Sequence, residues 1–316
     1  MTREREPDVI IRELAESDGT VLERFHRECF GRTLDGPCHR WLHQSGPCGP
    51  ALGLAAVHFG GIAAVYSCLP MRVLLDGETF PASLAVGAAV HPDFRRKGLF
   101  ARMGRTILQR AAAAGHAATF GKPNSHALPG HRRTGFGVLA DLPVWRREPQ
   151  RCLTHACREV AAFDERLDQA FARLSRNLRF AVARDAAWMN WRLSRPGSSY
   201  RRLVLEDGDR LAGWLVVKIY RGPRGPVAHI LDLWAEAEDA VEELLAGASA
   251  LGRDCRELNL WVSDRDPRRS TLARQGFLPA GRVRDWWIGF FHREEARHVL
   301  REPGPWLLSY LDNDIH

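Results

Sequence analysis

The sequence predicts an α/β (α+β) protein of two mixed-sheet modules with flanking helices, and three observations predict it. Short apolar runs separated by Gly-Gly and Asp-Gly turns give way, after residue 98, to a segment with helical spacing. The same order of elements starts again near residue 200. A chain of 316 residues exceeds one ordinary core and suits two domains.

Taken in order, residues 9–12 read as a strand and 20–30 as a helix stopped by Gly31. Residues 31–50, rich in Gly, Pro and His, read as a loop-like excursion over a substrate opening. Strands over 52–59 and 62–75 are joined by Gly60-Gly61, and a strand over 82–90 follows Asp76-Gly77. A helix over 99–114, a buried strand over 117–121 and a strand over 139–145 complete a module spanning 1–147. A helical connection over 148–199 carries an amphipathic helix at 158–174, then Trp188 and Trp191 at i, i+3 spacing as core anchors. From 200 to 316, strands over 201–206, 211–220 and 228–234, a helix over 239–251, a strand over 258–262, a helix over 267–275 and a strand over 283–291 repeat the order.

Composition excludes several classes. Residues 1–8 are highly charged without an apolar segment, and no apolar run is long enough to span a bilayer, so neither a signal peptide nor a membrane partner is expected, and a cytoplasmic location is. Seven cysteines without CxxC spacing argue for reduced thiols. Cys38, His39, His43 and Cys48 cluster, with the two histidines at i, i+4, but their spacing fits no zinc module and no metal is expected. A net charge of +7 and a pI near 9.3 favour an acidic partner. The cations come as scattered pairs without interleaved aromatics, which points away from nucleic acid.

The chemistry concentrates in residues 90–102, VHPDFRRKGLFAR, a strand end, a turn and a helix start. A helix N-terminus leaves backbone N–H groups unpaired at the positive end of its dipole, which suits phosphate. Arg95, Arg96 and Lys97 add charge, and Gly98, lacking a Cβ, lets a diphosphate approach the main chain. At these residues the sequence resembles the GNAT superfamily of acyl-CoA-dependent N-acyltransferases, whose diphosphate loop reads Q/R-x-x-G-x-G/A after the fourth strand. Arg95, Arg96, Lys97, Gly98, Leu99 and Phe100 fill it in register, departing at Phe100, where Gly or Ala is usual. The chain thus reads as a tandem GNAT fold with acyl-CoA, acetyl or longer, as co-substrate.

The resemblance implies further roles. The backbone of Val90 is the oxyanion donor, and Asn124 and Ser125 bind the pantetheine arm, with a helix N-cap as their structural alternative. His131 stands four residues before Gly135-Phe136, where the family often has a Tyr that protonates the leaving thiolate; its alternative is a surface cation in the run HRR. No carboxylate lies in 82–90, where many relatives keep a Glu and this chain offers Ser83. The base then comes from water or the second half, where His229, Asp232 and the tail 310–316 are candidates, with a structural hydrogen bond at a strand end as the alternative for Asp232.

The second copy is degenerate. Residues 234–239 read WAEAED, without Gly and with three carboxylates that repel a diphosphate, and Leu272 stands where a proton donor would be. Its expected work is to wall off and select the acceptor. Small residues at 55, 56, 63, 64 and 87–89 leave volume for an acyl group longer than acetyl. The overall look is similar to bacterial tandem GNATs of sugar and natural-product pathways, including those acylating amino sugars of glycopeptide antibiotics. That resemblance implies a small-molecule primary amine as acceptor.

Overall fold

The computed structural model describes residues 9–31, 36–150, 154–281 and 285–313. The expectations resting on residues 1–8, Cys152 and Val283, and on the carboxylate of Asp314 in the tail, fall outside these residues. The chain forms two units, each drawn from three stretches: Met1–Arg72, Phe80–Leu139 and Trp287–His298 in the first, and Val73–Thr79, Ala140–Trp286 and Val299–His316 in the second. No helix among the described residues is long and apolar enough to cross a membrane.

In the first unit, β1 (Ile10–Glu13), α1 (Gly19–Phe30), α2 (Gly36–His43), β2 (Leu52–His58), β3 (Gly61–Leu75), β4 (Glu78–Val90), α3 (Leu99–Ala113), β5 (Ala118–Gly121), α4 (Leu128–Arg133) and β6 (Gly137–Asp141) follow one another. The sheet runs β1-β2-β3-β4-β5, then a returning strand, Trp286–Phe291, and then β6. Phe59 and Gly60, and Asp76 and Gly77, have positive φ angles (46° and 78°, 46° and 86°), the geometry that turns antiparallel strands tightly back on themselves. Helix α1 ends at Gly31, whose φ of 67° lets its N–H reach the Arg27 carbonyl.

Small residues on β2 and β3 let α3 lie close. Ala56, Ala63 and Ala64 share one core cluster with Leu99, Met103 and Ile107 of that helix. Gly104 then brings α3 and α4 together, because a Cβ there would fall 2.5 Å from Thr134 Cγ2. The strand pair that matters most is β4 and β5. They run parallel, with paired positions at Ser83 and Thr119 and at Leu84 and Phe120. Beyond them β4 continues six residues to Val90 while β5 stops at Gly121, and Gly87 at φ 60° breaks the pleat.

The second unit contains β7 (Val144–Arg147), β8 (Arg158–Glu159), α5 (Arg166–Leu174), β9 (Phe180–Val182), α6 (Ala186–Arg192), β10 (Arg201–Asp207), β11 (Arg210–Gly222), β12 (Gly225–Ala235), α7 (Glu238–Leu251), β13 (Leu258–Trp261), α8 (Arg269–Arg274) and β14 (Leu278–Pro279). Its sheet runs β14-β7-β13-β12-β11-β10-β8. Apolar residues of α7, Val241, Leu244, Leu245 and Ala248, pack with Leu203, Leu215, Val217, Ile230, Leu258 and Leu260. Strand β9 pairs with Val73–Leu75 and with Trp306–Leu307.

Several expectations change here. The single strand read over 139–145 is two, β6 and β7, because Leu142-Pro143 interrupts the ladder; β6 borders the returning strand and β7 pairs with β13. The strand read over 283–291 pairs with β5 in the first unit, since alternation specifies a strand but not its partner. The helix read over 158–174 starts at Arg166, after an Asp164 carboxylate that accepts from the Arg166 N–H, and residues 158–159 extend the sheet beside β10. The excursion over 31–50 includes the helix α2.

Asp232, a candidate base, sits in a buried charge network. It is fully buried and takes two hydrogen bonds from Arg184, at 3.1 and 3.2 Å, and one each from the indole N–H groups of Trp214 (3.0 Å) and Trp234 (3.3 Å). Arg184 also reaches Asp312 at 2.6 Å and Ser309 at 3.0 Å. Burial alone would lower the Arg184 pKa, but Asp232 and Asp312 raise it above its usual value. Asp312 closes the tail onto this cation through a capping box with Ser309. Replacing Arg184 with Met strands two buried carboxylates and is expected to destabilise the protein by about 3–5 kcal/mol, read from urea unfolding. A loss under about 1 kcal/mol would show that the network contributes little to stability.

Candidate active site

The first unit's cleft begins where β4 parts from β5. The His91 N–H donates to the Ala63 carbonyl, a short turn of helix, Pro92–Phe94, follows, and Arg96 (φ 64°) and Gly98 (φ 75°) reverse the chain into α3. Two left-handed residues so close together turn successive N–H groups toward one side, ahead of the unpaired N–H groups of the first helical turn. A Cβ on Gly98 would meet nothing within 4 Å, so the space above it is open.

A cleft of about 630 Å³ lies over this loop. Its walls include Ala88, Ala89 and Val90 of β4, Arg95, Arg96, Gly98, Leu99 and Phe100 of the loop and α3, and Asn124 beyond β5. Its titratable lining among the described residues consists of Arg95, Arg96, Arg133, His126 and Cys29, with no carboxylate among them. The burial of Cys29 pushes its thiol up to about 11, so it stays neutral. The cleft therefore carries a positive field suited to a polyanion.

Of the residues singled out from the sequence, Val90, Arg95, Arg96, Gly98, Leu99, Phe100 and Asn124 come together on this wall. Lys97 and Ser125 are not among its lining; Lys97 instead holds its ammonium 5.8 Å above the Phe94 ring. Arg95 ties the loop to the strand end by donating from Nε to the Val90 carbonyl at 3.2 Å. The Asn124 carboxamide oxygen accepts from the N–H groups of His126 and Ala127, a turn ahead of α4, whose N-cap is Ala127 without a side-chain cap, and the residue borders the cleft.

His131 is neither a surface cation nor part of the cleft lining. It is 5% exposed, its Nδ1 lies 2.9 Å from the Tyr66 hydroxyl, and the rings of Tyr66, Phe100 and Phe136 surround it at 5.1–5.7 Å. Desolvation drops its pKa to about 4, and the same burial raises that of Tyr66, so at neutral pH a neutral imidazole faces a neutral phenol. What it can offer is an N–H hydrogen bond, not an imidazolium proton. Phe100 explains the enclosure: its ring lies against Gly130, where a Cβ would sit 2.7 Å away, and roofs the histidine.

In the second unit, His229 bonds Asn259 through Nδ1 at 2.6 Å, and the Tyr310 hydroxyl donates to the same Asn259 oxygen at 3.4 Å. His39 and His43 stack with ring centroids 4.5 Å apart, and burial lowers the His43 pKa to about 3. Among the described residues no group of three or more His, Cys, Asp or Glu is gathered to hold a metal. Sequence reasoning missed Arg133, His126 and the end of α1, Cys29 and Phe30, as cleft walls. The HRR run carried a signal for Arg133, since its last member stands two residues past His131 on the same short helix.

Residues 10–139 match the family model described as the acetyltransferase (GNAT) domain. No curated protein matches the sequence. Among solved structures, a GCN5-related N-acetyltransferase from Anabaena variabilis ATCC 29413 is similar with a TM-score of 0.73 at 13% identity, covering 90% of this chain and 73% of that one. A conserved protein of unknown function from Enterococcus faecalis V583, described as a probable N-acyltransferase, gives 0.69 at 11% identity over 92% of this chain and 74% of its own. A GCN5-related N-acetyltransferase from Kribbella flavida gives 0.69 at 15% identity, with 90% and 71% covered. At these identities the likeness is one of fold.

The burial of His131 has a measurable sign. Its folded pKa, about 4, lies below the ordinary 6.5, so between those values the unfolded chain binds the proton more readily and stability falls as pH falls through that window. Nitrogen-detected imidazole NMR is expected to show His131 neutral down to about pH 5. An imidazolium at His131 at pH 6 would contradict the assignment.

Proposed function

We propose that this chain is an N-acyltransferase that moves an acyl group from acyl-CoA to a primary amine of a small molecule. The observation that carries the reading is the cleft with three arginines, and no carboxylate among its described lining residues, around a left-handed glycine at the start of a 15-residue helix, beside strands that have parted. The match of residues 10–139 to an acetyltransferase domain model supports it independently.

In this reading the diphosphate rests on the N–H groups of 96–101, with Arg95, Arg96 and Arg133 around it, while Lys97 acts at longer range. The pantetheine arm lies along the open edge of β4, bordered by Asn124, with Ser125 next to it. The Val90 N–H faces the developing oxyanion. The neutral imidazole of His131, oriented by Tyr66, supports the leaving sulfur through a hydrogen bond once the Phe100 ring that roofs it swings aside. The amine attacks as the free base, its proton leaving through water, since Asp232 is held by Arg184 and the two indoles. Acyl chains longer than acetyl are accommodated beside Ala88 and Ala89, and an amino sugar is the acceptor class that the resemblance favours. The two units are two copies of one module, the second without a CoA site.

A second reading, a non-catalytic acyl-CoA sensor, is favoured by one observation: among the described residues no carboxylate lines the cleft to act as a base. Appearance of free thiol when acetyl-CoA or a long-chain acyl-CoA is mixed with amines, amino sugars included, supports the enzyme. Binding with no thiol release supports the sensor.

Calorimetric titration tests the site. Gly98→Asp places a carboxylate over the donors and is expected to weaken acyl-CoA binding at least ~100-fold, and Arg133→Ala ~10-fold, by loss of charge-assisted contacts. Unchanged affinity in Gly98→Asp would remove the diphosphate loop from the account.

A further inference from the structure

Four residues stand in a row across one face of the second sheet. Lys218 and His229 are register partners on β11 and β12, His229 and Asn259 are partners on β12 and β13, and Tyr200 precedes β10 at the position that continues its register toward Lys218. Such a row places side chains side by side on the pleat. The Lys218 ammonium lies 5.2 Å from the Tyr200 ring centroid and donates to Ser198 Oγ at 3.2 Å. Arg202, two residues beyond Tyr200, points to the same face of the strand and donates through Nη2 to the Leu193 carbonyl at 3.2 Å.

Two polar atoms in this cluster have no hydrogen-bond partner among the described residues. The Tyr200 hydroxyl is unpaired although the residue is only 7% exposed, and the Arg202 Nε is buried and unpaired as well. Among the described residues Lys218 bonds Ser198 and Arg202 bonds the Leu193 carbonyl, neither a carboxylate, and burial first, then the Arg195 and Arg192 guanidiniums, press the Lys218 pKa downward. Buried donors left unmatched carry a desolvation penalty, so such a group signals a missing acceptor. Every free hydrogen here is on a donor. Because Ser198 Oγ already accepts from Lys218, its own proton is available, beside the Tyr200 O–H, the Arg202 Nε–H and the remaining ammonium protons.

We infer that Ser198, Tyr200, Arg202 and Lys218 form an oxyanion site in the second unit, one that takes a carboxylate or phosphate group. Arg192 and Arg195 supply further positive potential. The site is separate from the loop of the first unit and stands whether or not that loop binds acyl-CoA.

The experiment uses full-length Gly98→Asp protein, which removes the competing phosphate site, with inorganic phosphate and acetate as probes. Calorimetry is expected to show millimolar binding of at least one probe, weakened at least tenfold by Lys218→Met and by Arg202→Met. Preference for phosphate or for acetate names the group. Lys218→Met, which removes an unmatched cation, is expected to melt no lower than its parent in anion-free buffer while losing the rise in Tm that the anion gives the parent. No binding of either probe, or binding that both variants retain, would overturn the proposal.

Discussion

Everything in the first unit's cleft depends on how briefly β4 and β5 stay together. A parallel pair held at two adjacent positions cannot remain hydrogen-bonded once one strand stops at Gly121 and the other, broken at Gly87, runs on to Val90. The parting exposes a strand edge next to a helix that starts on a left-handed glycine. Backbone donors from two different elements then face one space, with guanidiniums as the nearest charges. Side chains tune this arrangement, but the main chain makes it.

The second unit makes the same parting and uses it differently. There β12 and β13 pair at Ala228 with Leu258 and at His229 with Asn259, and then separate. Part of the space is taken by the protein itself, since Arg268 donates to the Leu233 carbonyl at 2.5 Å and the Tyr310 ring lies 4.6 Å from that of Trp261. Helix α7 begins with Glu238 and Asp239, which satisfy its dipole internally. Asp232, at the place where chemistry might be sought, serves as the counter-charge that lets Arg184 be buried. One topology thus yields an arginine-lined cleft in one unit and a smaller cleft of about 320 Å³ bordered by Glu236 and Glu238 in the other, and the side chains decide which.

Much of this was legible in the sequence where local rules apply. The strands, their Asp-Gly and Gly-Gly turns, helix α1 with Gly31 and the loop 95–100 follow from period and turn chemistry. What was not legible is long-range. Nothing in the alternation of residues 286–291 says that they pair with β5, and nothing in HRR says that its histidine turns inward to Tyr66, 65 residues earlier in the chain. Phe100 carries the clearest lesson. From sequence it reads only as a departure from the small residue usual there, whereas its ring covers His131 and packs on Gly130.

In the proposed function an acyl-CoA lies against the parted strands of the first unit. Backbone hydrogen exchange with and without acetyl-CoA tests it most directly. The account predicts slowed exchange at residues 88–101 and 121–133, with the start of α7 at 236–241 unchanged. Protection at 236–241 instead, or none in the loop at saturating ligand, would contradict it.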